Sequence, residues 1–127
     1  LMPLVDVARA LSVLMRGGRA AVASMAAEPF LVGGTDRDVT SWMEAVPGLV
    51  AKEGADGVML LGLADGRAAA AKIADGSNLA RRAVTVEMLR RLGVDVDGVM
   101  APIRDRVSVP VFGHGAPVGA LTALPWG

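Results

Sequence analysis

The 127-residue sequence contains no cysteine, which excludes disulfides and every thiolate metal site within the chain. Aromatic residues make up only 3% of it, so a core must be assembled from small and flexible side chains, chiefly Ala, Val, Leu and Met. Neither sign of charge is in excess. The 13 basic and 13 acidic residues cancel, leaving no electrostatic footprint for nucleic acid and no polybasic patch for a membrane surface. No apolar run approaches the ~18 residues that a membrane-crossing helix needs. The opening segment is interrupted by Asp6 and Arg9 with no basic region ahead of it, so it does not read as a secretory leader. A cytoplasmic location is the resulting expectation. The only histidine, His114, stands in Gly113-His114-Gly115 without a second imidazole, and reads as a turn residue rather than a metal ligand.

What is present is a chain that is 53% hydrophobic, without internal repeats or low-complexity linkers, and therefore a single unit over 1–127. Leu4, Val7, Ala8, Leu11, Leu14 and Met15 recur at helical spacing, with Pro3 suited to the first turn and Gly17-Gly18 to the stop. A shorter helix is expected from about Ala20 to Glu28, ended by Pro29. The glycine-containing loop LVGGTDRD then leads to Thr35 as an N-cap and an apolar face of Val39, Trp42, Met43 and Val46. From Leu49 the period changes. Leu49 to Lys52, Val58 to Leu63 and Arg67 to Ile73 read as strands, the last two joined by the Asp-Gly turn at Asp65-Gly66.

RAAAAKI would suit a helix by propensity, but seven residues between two Asp-Gly turns favour a strand. Ser77 caps a helix to about Leu92, with Leu79, Ala83, Val86 and Leu89 inward. Glu87 and Arg91 are expected to pair on its wet side, and Arg81, Arg82, Arg90 and Arg91 to form a solvated face. A loop beyond Gly93 and a last hairpin around Gly113 to Pro117 complete an α+β chain, its antiparallel sheet covered by a helix.

The candidate chemistry is sparse. Lys52 at a strand end is either an ordinary solvated charge or, with Gly54, a Lys-x-Gly element lining a cleft. There the ammonium would stabilise negative charge and the glycine would let substrate lie against the strand. Gly33-Gly34-Thr35 before a helix is either a turn with an N-cap or an anion cradle. None of Ser12, Ser24, Ser41, Ser77 and Ser108 is followed three residues on by lysine or stands in Gly-x-Ser-x-Gly, so no complete nucleophile constellation is legible.

Several stretches taken in order carry a resemblance. They are LMPLVDVARALSVLM, VGGTDRDVT, VPGLVAKEGADGV, AAKIADGS and VGALTAL, spanning about Leu4 to Leu121. Together they resemble the C-terminal half of the rhizobial-type L-asparaginases, the asparaginase II family. The resemblance implies a fold like the C-terminal part of serine β-lactamases and penicillin-binding proteins. In such enzymes a Ser-x-x-Lys helix supplies the nucleophile, and a second lysine lies on a strand in Lys-x-Gly. By position Lys52 matches that second lysine, as catalytic base or electrostatic stabiliser. Gly54 is the motif's glycine, permitting substrate approach, and Gly34 and Thr35 would shape the pocket rim.

The sequence also departs from the family. Members are well over twice as long, and the Ser-x-x-Lys helix has no counterpart here. Neither do the cysteines and lysine that bind zinc in relatives, so no cofactor is expected in this chain. Some relatives carry cysteine where Asp38 stands. The chain therefore reads as part of a larger amidohydrolase that hydrolyses L-asparagine to L-aspartate and ammonia, with its serine missing. The alternative is a non-catalytic scaffold, or a self-association or ligand-binding module, derived from that family. The expected partners are a small amide substrate and other copies of the chain, meeting through Leu4, Leu11 and Met15 or through edge strands.

Overall fold

A computed structural model describes residues 2–126. The apolar stripe of the first segment folds as α1 (Leu4–Gly17), followed by α2 (Arg19–Ala27). Gly18 ends α1 by donating its N–H to the Leu14 carbonyl at 2.7 Å. Pro29 does not merely end α2. It stands at the first position of a further short helix, α3 (Pro29–Gly33), where its missing N–H costs nothing. α4 (Asp38–Ala45) starts later than expected: Arg37, not Thr35, is its N-cap, and no side chain caps it.

The central sheet is antiparallel, in the order β1 (Val50–Gly54), β2 (Val58–Gly62), β3 (Ala68–Lys72). A 3-10 turn (Ala55–Gly57) joins the first two strands, and the expected Asp-Gly turn joins the others. In that turn Gly66 has φ +92°, and the Asp65 carboxylate accepts from the Arg67 backbone N–H at 3.0 Å. The alanine-rich run is a strand because both its neighbours are turns and β2 pairs along its whole length.

Period-2 alternation sorts the sheet into two faces. Ala51, Met59 and Leu61 point into the main core with Val39, Trp42 and Met43 of α4. Met88 and Leu89 of α5 (Asn78–Arg91) join them. Val50, Lys52, Leu60 and Gly62 lie on the opposite face, in register with one another across β1 and β2. There α1 lies so close that a Cβ on Gly62 would stand 2.6 Å from Met15 Cγ. Glycine at position 62 is what lets Met15 bury, and the sheet is covered by helices on both faces.

α5 is capped by Ser77, whose Oγ accepts from the Ala80 N–H at 3.2 Å, but its buried face is not the one expected. Ala83 and Leu89 are buried, Val86 is half-buried, and Leu79 is exposed. The inward line runs instead through Arg81, Thr85, Met88 and Leu92. Glu87 does pair with Arg91, at 3.4 Å, but is buried rather than wet. The C-terminal segment lies over it, with the Trp126 N–H donating to Glu87 Oε1 at 3.3 Å and the Trp126 ring 5.3 Å from the Arg91 guanidinium.

The expected loop beyond Gly93 contains α6 (Val96–Met100), a 3-10 turn (Ala101–Ile103) and α7 (Arg104–Val107), which bury Val96, Ile103 and Val107. The last hairpin, β4 (Pro110–Gly113) with β5 (Ala116–Ala120), forms a separate two-stranded sheet, and every residue of β5 is exposed. No described helix is long and apolar enough to cross a membrane.

Candidate functional site

Lys52 is exposed on the α1-facing side of β1, and its Nζ donates to the Glu53 carbonyl at 2.9 Å. It borders two spaces at once. One is an apolar cleft of about 210 Å³ between α1, α2 and the sheet, bounded also by Leu11, Met25 and Leu60. The other is an open polar concavity of about 470 Å³, bounded by Arg37, Glu53, Gly54, Asp56 and Asn78. A lysine on such a border keeps its methylenes against apolar surface and its ammonium free for a polar partner. Among the described residues it makes no ion pair with a carboxylate.

Gly54 lies in the same concavity. Its backbone is extended (φ −122°), so it is not there for left-handed freedom. A Cβ on it would sit 3.2 Å from Val58 Cβ, its cross-strand partner, and that crowding is a packing reason for glycine. Gly34 and Thr35 are not brought into the concavity. Gly34 has φ +95° and its carbonyl accepts from Thr40 Oγ1 at 2.8 Å, so the Gly-Gly-Thr stretch is a turn fastened to the start of α4. The residue of that loop that reaches the concavity is Arg37.

Behind the concavity lies a charge network that the local sequence did not reveal. Arg81 is not on a solvated face: its side chain is 3% exposed, as is that of Asp38. The two form a bidentate pair, Nη2 to Oδ1 at 3.0 Å and Nη1 to Oδ2 at 3.2 Å. The same guanidinium reaches Glu53 Oε2 at 2.8 Å, while Glu53 Oε1 takes Arg37 Nη1 at 3.2 Å. Asp38, Arg81, Glu53 and Arg37 thus alternate in sign and tie α4, α5 and β1 together. Because neighbours on a strand face opposite ways, anchoring Glu53 on the core side holds Lys52 on the cleft side.

A signal for this existed in the sequence. Asp38 lies four residues before Trp42 on one helical face. Arg81, Thr85, Met88 and Leu92 likewise share a face, so two opposite charges stood on two apolar stripes.

The serines do not complete the site, since none of them lines the concavity. Ser12 Oγ donates to the Gly66 carbonyl at 2.6 Å, Ser77 caps α5, and Ser41 is buried in α4. Nor do the residues fit the zinc site of relatives. There is no cysteine, no group of three or more His, Cys, Asp or Glu among the described residues could hold a metal, and the Asp38 carboxylate is engaged by Arg81.

One titration effect lies away from the site. The Arg67 side chain, hydrogen-bonded to Asp65, holds that exposed carboxyl below its usual range.

The family model described as L-asparaginase II matches residues 1–123 of the chain. No curated protein matches it.

Proposed function

The chain belongs to the L-asparaginase II family, and on that premise we propose that it forms part of an amidohydrolase acting on L-asparagine, contributing Lys52 to a Ser–Lys site. The supporting observation is the joint position of Lys52 and Gly54 on one open concavity, with the ammonium unpaired by any described carboxylate. By likeness to serine acyl-transfer enzymes, a serine oxygen attacks the side-chain amide carbon. The ammonium stabilises the oxyanion or keeps the serine's proton mobile, ammonia leaves, and water releases aspartate from the acyl-enzyme. In this reading the serine is supplied from outside these 127 residues; none of the five present borders the concavity. The likeness to the β-lactamase and penicillin-binding-protein architecture belongs to the same proposal. The pocket-rim role of Gly34 and Thr35 narrows to positioning Arg37, the residue of their loop that faces the concavity.

The absent serine also favours a second reading, a non-catalytic module that binds amide ligands or other copies of itself. Ammonia release from L-asparagine separates the two. The 127-residue chain should give none above background, and the chain joined to a Ser-x-x-Lys segment of the family should turn over. Failure of the joined protein to release ammonia, with its fold intact, favours the module. Turnover by the chain alone, abolished by Lys52→Ala, would reveal a complete site within it.

A further inference from the structure

The concavity beside Lys52 is lined by charges of both signs. Its lining includes Arg37, with a side chain 55% exposed, and Asp56, held at φ +55° in the turn between β1 and β2. Glu53 also faces it, but both of its oxygens are engaged, one by Arg37 and one by Arg81. Asp56 is in no ion pair among the described residues. A guanidinium has five donors in a planar fork, and the contact with Glu53 occupies one edge of it, so Arg37 retains donors for a second carboxylate.

Taken with the groups behind them, Arg37, Lys52 and Arg81 balance Asp38, Glu53 and Asp56. A site that is neutral in sum, with an arginine that keeps spare donors and an aspartate in no described ion pair, suits a zwitterion better than a net anion or cation.

We propose that this concavity recognises the charged end of a free α-amino acid, Arg37 taking the carboxylate and Asp56 the ammonium, with the side-chain amide directed to Lys52. The assignment rests on the amidohydrolase reading and deepens it by naming what selects a free amino acid over other amides. The buried pairs behind this lining supply rigidity. Arg81 and Asp38 fix Glu53, Glu53 fixes Arg37, and so the fork meets its ligand already oriented.

Calorimetric titration of the chain with three ligands tests this. L-asparagine carries both charges, L-asparaginamide lacks the carboxylate, and succinamic acid lacks the ammonium. Arg37→Gln should weaken L-asparagine and succinamic acid about 10-fold or more, the scale of a lost charge-assisted hydrogen bond, and leave L-asparaginamide unchanged. Asp56→Asn should weaken L-asparagine and L-asparaginamide similarly and spare succinamic acid. Both changes are at exposed side chains, and asparagine tolerates the left-handed backbone as aspartate does, so the fold should survive. If wild type binds L-asparagine but each variant affects all three ligands equally, or none, the assignment is overturned while the amidohydrolase reading stands. If wild type binds none of them, the assignment is overturned, and ammonia release by the protein that also carries the serine decides the amidohydrolase reading separately.

Discussion

Replacing Arg81 by methionine should destabilise the protein far more than removing any other arginine of α5. The change leaves the Asp38 carboxylate, 3% exposed, without the two bonds at 3.0 and 3.2 Å that neutralise it. It also strips Glu53 of its 2.8 Å contact, leaving Arg37 as its partner. Removing one member of a buried ion pair costs about 3–5 kcal/mol, because the surviving charge stays desolvated. For a domain of this size each kcal/mol is worth roughly 3–5 °C, so Tm should fall by about 10–25 °C.

Arg90→Ala is the control. Arg90 pairs at 3.2 Å with Asp97, whose side chain is 87% exposed, and such a surface pair is worth about 1 kcal/mol at most. Thermal and urea melts followed by circular dichroism give both values. Adding Asp38→Leu to Arg81→Met should restore part of the loss by removing the stranded charge. An Arg81→Met protein within ~1 kcal/mol of wild type would refute the buried network and return Arg81 to the solvated face that local sequence assigns it.

Gly62→Val should cost about 1–3 kcal/mol by overpacking, since a Cβ there meets Met15 Cγ at 2.6 Å; pairing it with Met15→Ala should recover part of the loss in urea melts. The chain should associate in dilute solution, because Val111, Phe112 and Val118 are exposed on a hairpin that no other described strand covers. A monodisperse monomer by light scattering would contradict this, and Met15, being buried, cannot be one of the contacts. Asp65, whose folded-state pKa is lowered by Arg67, contributes stability that is present above the ordinary carboxylate range and is lost as pH falls through its lowered value. An NMR titration should show that carboxyl ionised to lower pH in wild type than in Arg67→Ala.

The parts of the fold that were legible in the sequence are those set by local rules. Uninterrupted apolar runs between Asp-Gly turns located β2 and β3, and one stripe at helical spacing located α1. α3, α6 and α7 were not legible, since four or five residues hold little more than one helical period, and Pro29 opens a helix as readily as it closes one. The assignment of charges on α5 failed for a different reason. Arg81 and Glu87 read as wet because their partners, Asp38 and the Trp126 N–H, stand 43 and 39 positions away. Burial of a charge is decided by such distant partners. At the candidate site, Lys52 and Gly54 share a strand and were found together, whereas Arg37 and Asp56 join them through the path of two turns.

The central claim is that Lys52 serves the chemistry of the concavity rather than the solvation of a strand end. Steady-state ammonia release from L-asparagine by Lys52→Met, in the protein that also carries the serine, addresses it directly. The lysine is exposed and, among the described residues, its side chain hydrogen-bonds to its neighbour's carbonyl, so Tm should be nearly unchanged. kcat/KM should fall by ~10²-fold or more, as when an enzyme loses a group that stabilises developing charge. Wild-type kcat/KM in the Lys52→Met protein would contradict the account.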